Sequence, residues 1–136
     1  MRNGNVSILV KRPSRHRGFT LMELLVVLSI LALLLSLAVP RYFSSVQRAK
    51  EQALKQQLTT TRKALDAYYA DQGQYPDTLQ DLVSKHYLDK MPWDPIAESN
   101  ETWVINPPEL PLTGGVYNLH SGAADQAKDG SNYADW

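Results

Sequence analysis

The chain has 136 residues, which bounds it to one modest domain with accessory segments. Formal charge is balanced at 14 basic and 14 acidic residues, but residues 1–18 hold five of the bases (Arg2, Lys11, Arg12, Arg15 and Arg17) and no acid, leaving nine bases against 14 acids after Gly18. An acidic body argues against nucleic acid as the main partner, and the absence of cysteine excludes disulfides and thiolate metal sites, so any core must come from packing or from docking onto other subunits.

Behind the basic leader runs an almost wholly apolar block, Phe19 to Val39, whose polar members are Thr20, Glu23, Ser29 and Ser36. As a helix, about 21 residues rising about 1.5 Å each span roughly 31 Å, close to the hydrocarbon thickness of a bilayer. The alternative is a helix buried in a soluble core, which 136 residues cannot easily enclose on all sides. Arg12, Arg15 and Arg17 precede the block and predict a cytoplasmic N-terminus, although Arg41, Arg48 and Lys50 follow it and weaken the bias. A secretory signal would be cut after the apolar run, where "SLAVPRY" offers only Ala38. A carboxylate inside a membrane helix costs about 2.5–3.5 kcal/mol or more, so Glu23 is expected to have a partner and a function; the alternative is a side chain that snorkels to the headgroups.

"RGFTLMELLVVL" resembles the processing site of type IV prepilins and of the pseudopilins of type II secretion. The resemblance implies that a membrane prepilin peptidase cuts after Gly18 and methylates the new N-terminal residue, Phe19. Glu23 then stands fifth in the mature chain, where the family has its assembly glutamate. Each subunit would carry an ammonium at Phe19, one helical turn from Glu23, and the carboxylate could pair with it or with that of a neighbour.

The helical pattern continues past Val39. Leu54, Leu58, Leu65 and Tyr68 recur on one face with Thr61 in the remaining place, predicting one helix from about Leu21 to about Asp71, ended by Gly73. Pro40 lies inside it and removes an amide donor, either as a simple kink or as a weak point that loosens when subunits pack. "GQYPDTLQDLVSKHYLDKMPWDP" follows: an extended Tyr75-Pro76 step, then a short helix capped by Asp77 or Thr78 and carrying Leu79, Leu82 and Val83. Two strands come next. "TWVIN" places Trp103 and Ile105 on one face; "GVYNLHS" places Tyr117 and Leu119 on one face and Val116 and Asn118 on the other. The loop "PPELPLTGG" can close them into an antiparallel hairpin, which is too small to be stable unless it lies on the long helix. The expected class is α+β, with residues 1–18 a removable leader, 19–40 the membrane and assembly helix, 41–71 its amphipathic half and 72–136 a small α+β domain.

No metalloprotease, dinucleotide, Walker or nucleophile-elbow motif is present, and His16, His86 and His120 are scattered, so no enzyme is expected. The tail "SGAADQAKDGSNYADW" fails as an EF-hand, because Ala127 occupies position three and the chain stops where the bidentate glutamate belongs. Major pseudopilins have a calcium-holding loop here. By that resemblance Asp125 matches the first aspartate, with Asp129 and Asp135 as approximate substitutes; otherwise the tail is a polar loop stabilised by Trp136 tucking in. The G-x-Y-P and D-P steps point to the major pseudopilin family. Membership implies a single-pass bacterial inner-membrane protein with a periplasmic domain. Its partners would be copies of itself in a filament, the prepilin peptidase, the inner-membrane assembly platform, minor pseudopilins and membrane lipid. A minor, competence or adhesion pilin is the alternative within the class. A signal-anchored monomeric enzyme or binding domain is the alternative outside it.

Overall fold

A computed structural model describes residues 1, 3–4, 10 and 18–136. The leader residues Arg2, Lys11, Arg12, Arg15, His16 and Arg17 lie outside them. Helix α1 (Leu21–Gln72) takes 52 residues; α2 (Leu79–Ser84), β1 (Val104–Asn106), β2 (Asn118–His120) and a 3-10 turn at Tyr133–Asp135 follow. The chain divides into two compact units, Met1–Val39 and Pro40–Trp136.

In the first unit every residue from Phe19 to Val39 is exposed, as befits a helix whose solvent is lipid or other helices. Its hydroxyls are satisfied locally: Ser29 Oγ donates to the Leu25 carbonyl and Ser36 Oγ to that of Leu33, both at 2.7 Å. This is the economy a bilayer demands, since no water is available to take the bond.

In the second unit the predicted stripe is the core. Leu54, Leu58, Thr61, Leu65 and Tyr68 are all buried, joined by Ala64. Against them pack Leu79, Leu82, Trp103, Val116, Leu119, Ala127 and Tyr133. Burying a leucine contributes about 1.5–3 kcal/mol, so this half of α1 is part of the body and cannot be treated as a mere tether. The helix stops at Gly73, whose φ of 70° suits a residue without Cβ; its N–H donates to the Tyr69 carbonyl at 2.8 Å. Thr78 caps α2, with its main-chain N–H donating to Asp81 Oδ2 at 2.9 Å.

The strands pair antiparallel, with Ile105 opposite Leu119. They are only three residues each, and the expected alternation is interrupted. Trp103 is buried but Ile105 is 37% exposed, while Val116 and Leu119 are both buried and Tyr117 is not. The cause is the Tyr75-Pro76 step. The N–H groups of Gly115 and Val116 both donate to the Pro76 carbonyl at 2.9 Å, and Tyr75 N–H donates to the Thr113 carbonyl at 2.9 Å. Residues 113–116 are therefore docked on 75–76 and enter the ladder only afterwards. Gly114 makes this approach possible: a Cβ there would collide with the main chain of Tyr75.

Candidate functional site

The start of α1 holds the residues singled out for processing and assembly. Among the described residues nothing lies within 4 Å of where a Gly18 side chain would stand, and Phe19 is 90% exposed. Thr20 and Glu23 form a reciprocal cap. Glu23 N–H donates to Thr20 Oγ1 at 3.2 Å, and Thr20 N–H donates to Glu23 Oε2 at 3.3 Å. The T-x-x-E spacing is a capping-box signature in the sequence, a use of the carboxylate beside the ion pair and the snorkelling weighed for it above. Phe19, Met22, Glu23, Val26 and Val27 line a shallow apolar recess of about 390 Å³ beside this cap. Pro40 lies within an unbroken helical run; having no N–H, it leaves the Ser36 carbonyl without its usual donor.

The structure does not bring Asp125, Asp129 and Asp135 together. Among the described residues no group of three His, Cys, Asp or Glu side chains could hold a metal. The reason is a tight reversal: Gln126 pairs with Asn132, Ala127 N–H donates to the Ser131 carbonyl at 2.8 Å, and Gly130 N–H to that of Ala127 at 2.9 Å. Asp129 sits at the tip, where its Oδ1 accepts from Ser131 N–H at 2.9 Å and from Ser131 Oγ at 2.6 Å. These donors hold its carboxyl below the ordinary range. Asp135 Oδ2 accepts from Asn132 Nδ2 at 3.1 Å.

Other residues, unmarked in the sequence reading, hold the tail instead. Tyr133, fully buried, donates to Glu51 Oε1 at 2.9 Å and accepts from Gln47 Nε2 at 2.7 Å; burial and then the Glu51 bond push its phenol up. Arg62 donates to Asn118 Oδ1 and to the main-chain oxygens of Leu119 and Trp136. Trp136 does tuck in: its ring meets Tyr133 edge-on at 5.0 Å and its Nε1 donates to Ser131 Oγ at 2.8 Å. The available signal was the series Gln47, Glu51, Lys55 and Arg62, which borders the apolar stripe at helical spacing. A second knot centres on buried Asp94, whose Oδ2 accepts from Ser121 Oγ at 2.5 Å.

Comparison with known proteins joins the two halves. A family model described as the prokaryotic N-terminal methylation motif matches residues 13–39, and one described as type II secretion system (T2SS), protein G, matches residues 41–135. The chain belongs to the type II secretion system protein G family. It is 30% identical to the type II secretion system core protein G of Escherichia coli over 132 residues, covering 85% of this chain and 87% of that one. It is 35% identical to that of Pseudomonas aeruginosa over 134 residues, covering 87% and 90%, and 44% identical to that of Klebsiella pneumoniae over 73 residues, covering 52% of each. No solved structure matches the chain. Family membership and, among the described residues, one helix long and apolar enough to cross a bilayer fit a membrane-anchored protein.

Proposed function

We propose that this protein G family member is the major subunit of a type II secretion pseudopilus. It is cut between Gly18 and Phe19 by the prepilin peptidase, methylated on the Phe19 amine and polymerised through α1 to drive protein export. The observation that carries the reading is the coincidence, at one helix start, of the methylation motif, an exposed Phe19 and a capped carboxylate in an apolar span. Hydrolysis leaves an ammonium on Phe19 beside the helix N-terminus, and Glu23 is the nearby acid that can offset it, in its own subunit or in the next one as subunits stack. The basic leader favours a cytoplasmic N-terminus and a periplasmic Pro40–Trp136 unit, against the weaker pull of Arg41, Arg48 and Lys50. Partners are further copies of the chain, the peptidase, the inner-membrane assembly platform and minor pseudopilins. The protein G match over 41–135 favours this reading over a minor, competence or adhesion pilin and over a signal-anchored enzyme.

The test replaces the native gene with Glu23→Leu and with Glu23→Gln, reading the mass of the subunit and the secretion of a reporter. Gln retains the cap and removes the charge. Both variants are expected to be cut normally and to lose secretion, because the incoming Phe19 ammonium meets no counter-charge. Normal cleavage with normal secretion in both would refute an assembly role for the Glu23 charge.

A further inference from the structure

We propose that the tail of this chain, residues 121–136, is closed by the protein's own cations and does not depend on calcium. Calcium takes six to eight oxygens at about 2.3–2.6 Å, and this tail does not converge its carboxylates. Asp129 is engaged by Ser131 and Asp135 by Asn132. What fastens the loop to α1 is Lys128. Its main-chain N–H donates to Glu51 Oε1 at 3.0 Å, and its ammonium donates to the Ser44 carbonyl at 2.7 Å and to the Ser44 hydroxyl. Glu51 Oε1 also accepts the Tyr133 hydroxyl, so one carboxylate oxygen on α1 holds both limbs of the tail.

Two further cations from α1 close its far end. Arg62 Nη2 bridges the main-chain oxygens of Leu119 and Trp136, at 3.0 and 2.6 Å, tying β2 to the last residue. Lys55 Nζ stands 4.3 Å from the centre of the Trp136 ring. Lys128 at Ser44 and Arg62 and Lys55 at Trp136 thus fasten the tail to α1. A divalent ion would meet a scattered acceptor set, with Asp129 and Asp135 already engaged. The inference concerns the tail alone and stands whether or not the chain polymerises.

The test uses the full mature chain in detergent micelles. Its melt and the protease resistance of its tail are followed from chelator to millimolar free calcium, for wild type and for Lys128→Met. The wild-type midpoint should be the same throughout. Lys128→Met should expose the tail to cleavage several-fold faster, and calcium should not restore it. A wild-type midpoint that climbs steadily with the logarithm of free calcium would overturn the proposal, because a ligand bound to the native state must have that effect. So would a Lys128→Met tail as resistant as wild type. If Lys128→Met does not fold, the wild-type titration decides alone.

Discussion

Asp94→Ala should be among the most damaging single changes in the Pro40–Trp136 unit. Asp94 is fully buried. Its Oδ1 accepts from the N–H groups of Ile96 and Ala97 at 2.8 and 3.0 Å, and its Oδ2 accepts from Ser121 Oγ at 2.5 Å. Ser121 Oγ in turn accepts from Ala123 N–H at 3.1 Å, so the knot joins the 94–99 loop to the start of the tail. Alanine leaves two amides and a hydroxyl without their acceptor. An orphaned buried donor costs about 1–3 kcal/mol. Ile96 and Ala97 are only half-buried, so water recovers part of their loss. The total comes to about 3 kcal/mol, or roughly 12–24 °C in Tm for a domain of this size. Asp94→Asn keeps Oδ1 but presents an NH₂ to a hydroxyl that must then do without its acceptor, costing about 1 kcal/mol. Thermal and denaturant unfolding of a soluble fragment beginning at Arg41, followed by circular dichroism, measures both. An alanine variant within about 0.5 kcal/mol of wild type, the range of an ordinary surface change, would show that the knot is not a stabilising element.

The mature subunit should have the mass of a chain beginning at a methylated Phe19; an intact Met1 terminus or a cut near Ala38 would refute the processing. A fragment beginning at Gly73 should show no cooperative melt, whereas one beginning at Arg41 should, because Leu54, Leu58, Leu65 and Tyr68 are core residues; equal melts would refute this. Stability should fall above pH 10. Burial pushes the phenols of Tyr75 and Tyr133 above their ordinary 10.0, so the folded chain holds protons that the unfolded chain releases. Their contribution is complete below pH 10 and is lost as pH rises through the folded values. The check is the denaturant midpoint at pH 9 and pH 11, and a midpoint unchanged or higher at pH 11 contradicts it.

The long helix was legible because two strong periodic signals run end to end, an apolar block and then a 4-3-4-3 stripe, closed by Gly73. The short capped helix was legible for the same local reason. The strands were harder. Val116 alternates with Tyr117 and Leu119 in sequence, but its bond to Pro76, forty residues earlier, and Pro107 and Pro108, which follow β1 and have no N–H to donate, keep it out of the ladder. The tail was least legible, since what orders it are contacts such as Lys128 to Ser44, 84 residues apart, which no local pattern encodes. The aspartates there carry a role by resemblance, whereas nothing local marks Lys128, which lies between Asp125 and Asp129. At Asp94 the D-P step marked the right residue without its reason, which is a hydroxyl 27 positions away.

The cap at Thr20 sharpens the question of why Glu23 is charged. A side-chain cap contributes about 1 kcal/mol, and a negative charge in the first helical turn about 0.3–1 kcal/mol more. Together they fall short of the roughly 2.5–3.5 kcal/mol that a carboxylate costs at the centre of a membrane helix. The cost is smaller near a helix end, where Glu23 lies in the subunit still standing in the bilayer, so there the cap and the helix dipole can balance it. Inside a filament of packed apolar helices there is no headgroup layer to reach. Helix capping alone would be served as well by glutamine, which accepts the same Thr20 N–H and carries no charge to desolvate. On the function proposed above the charge has a further use, because processing would create a cation, the Phe19 ammonium, at this end of the helix. Glu23 Oε2 accepts the Thr20 N–H, and on that proposal Oε1 is the oxygen that would receive the ammonium of its own subunit or of the next one.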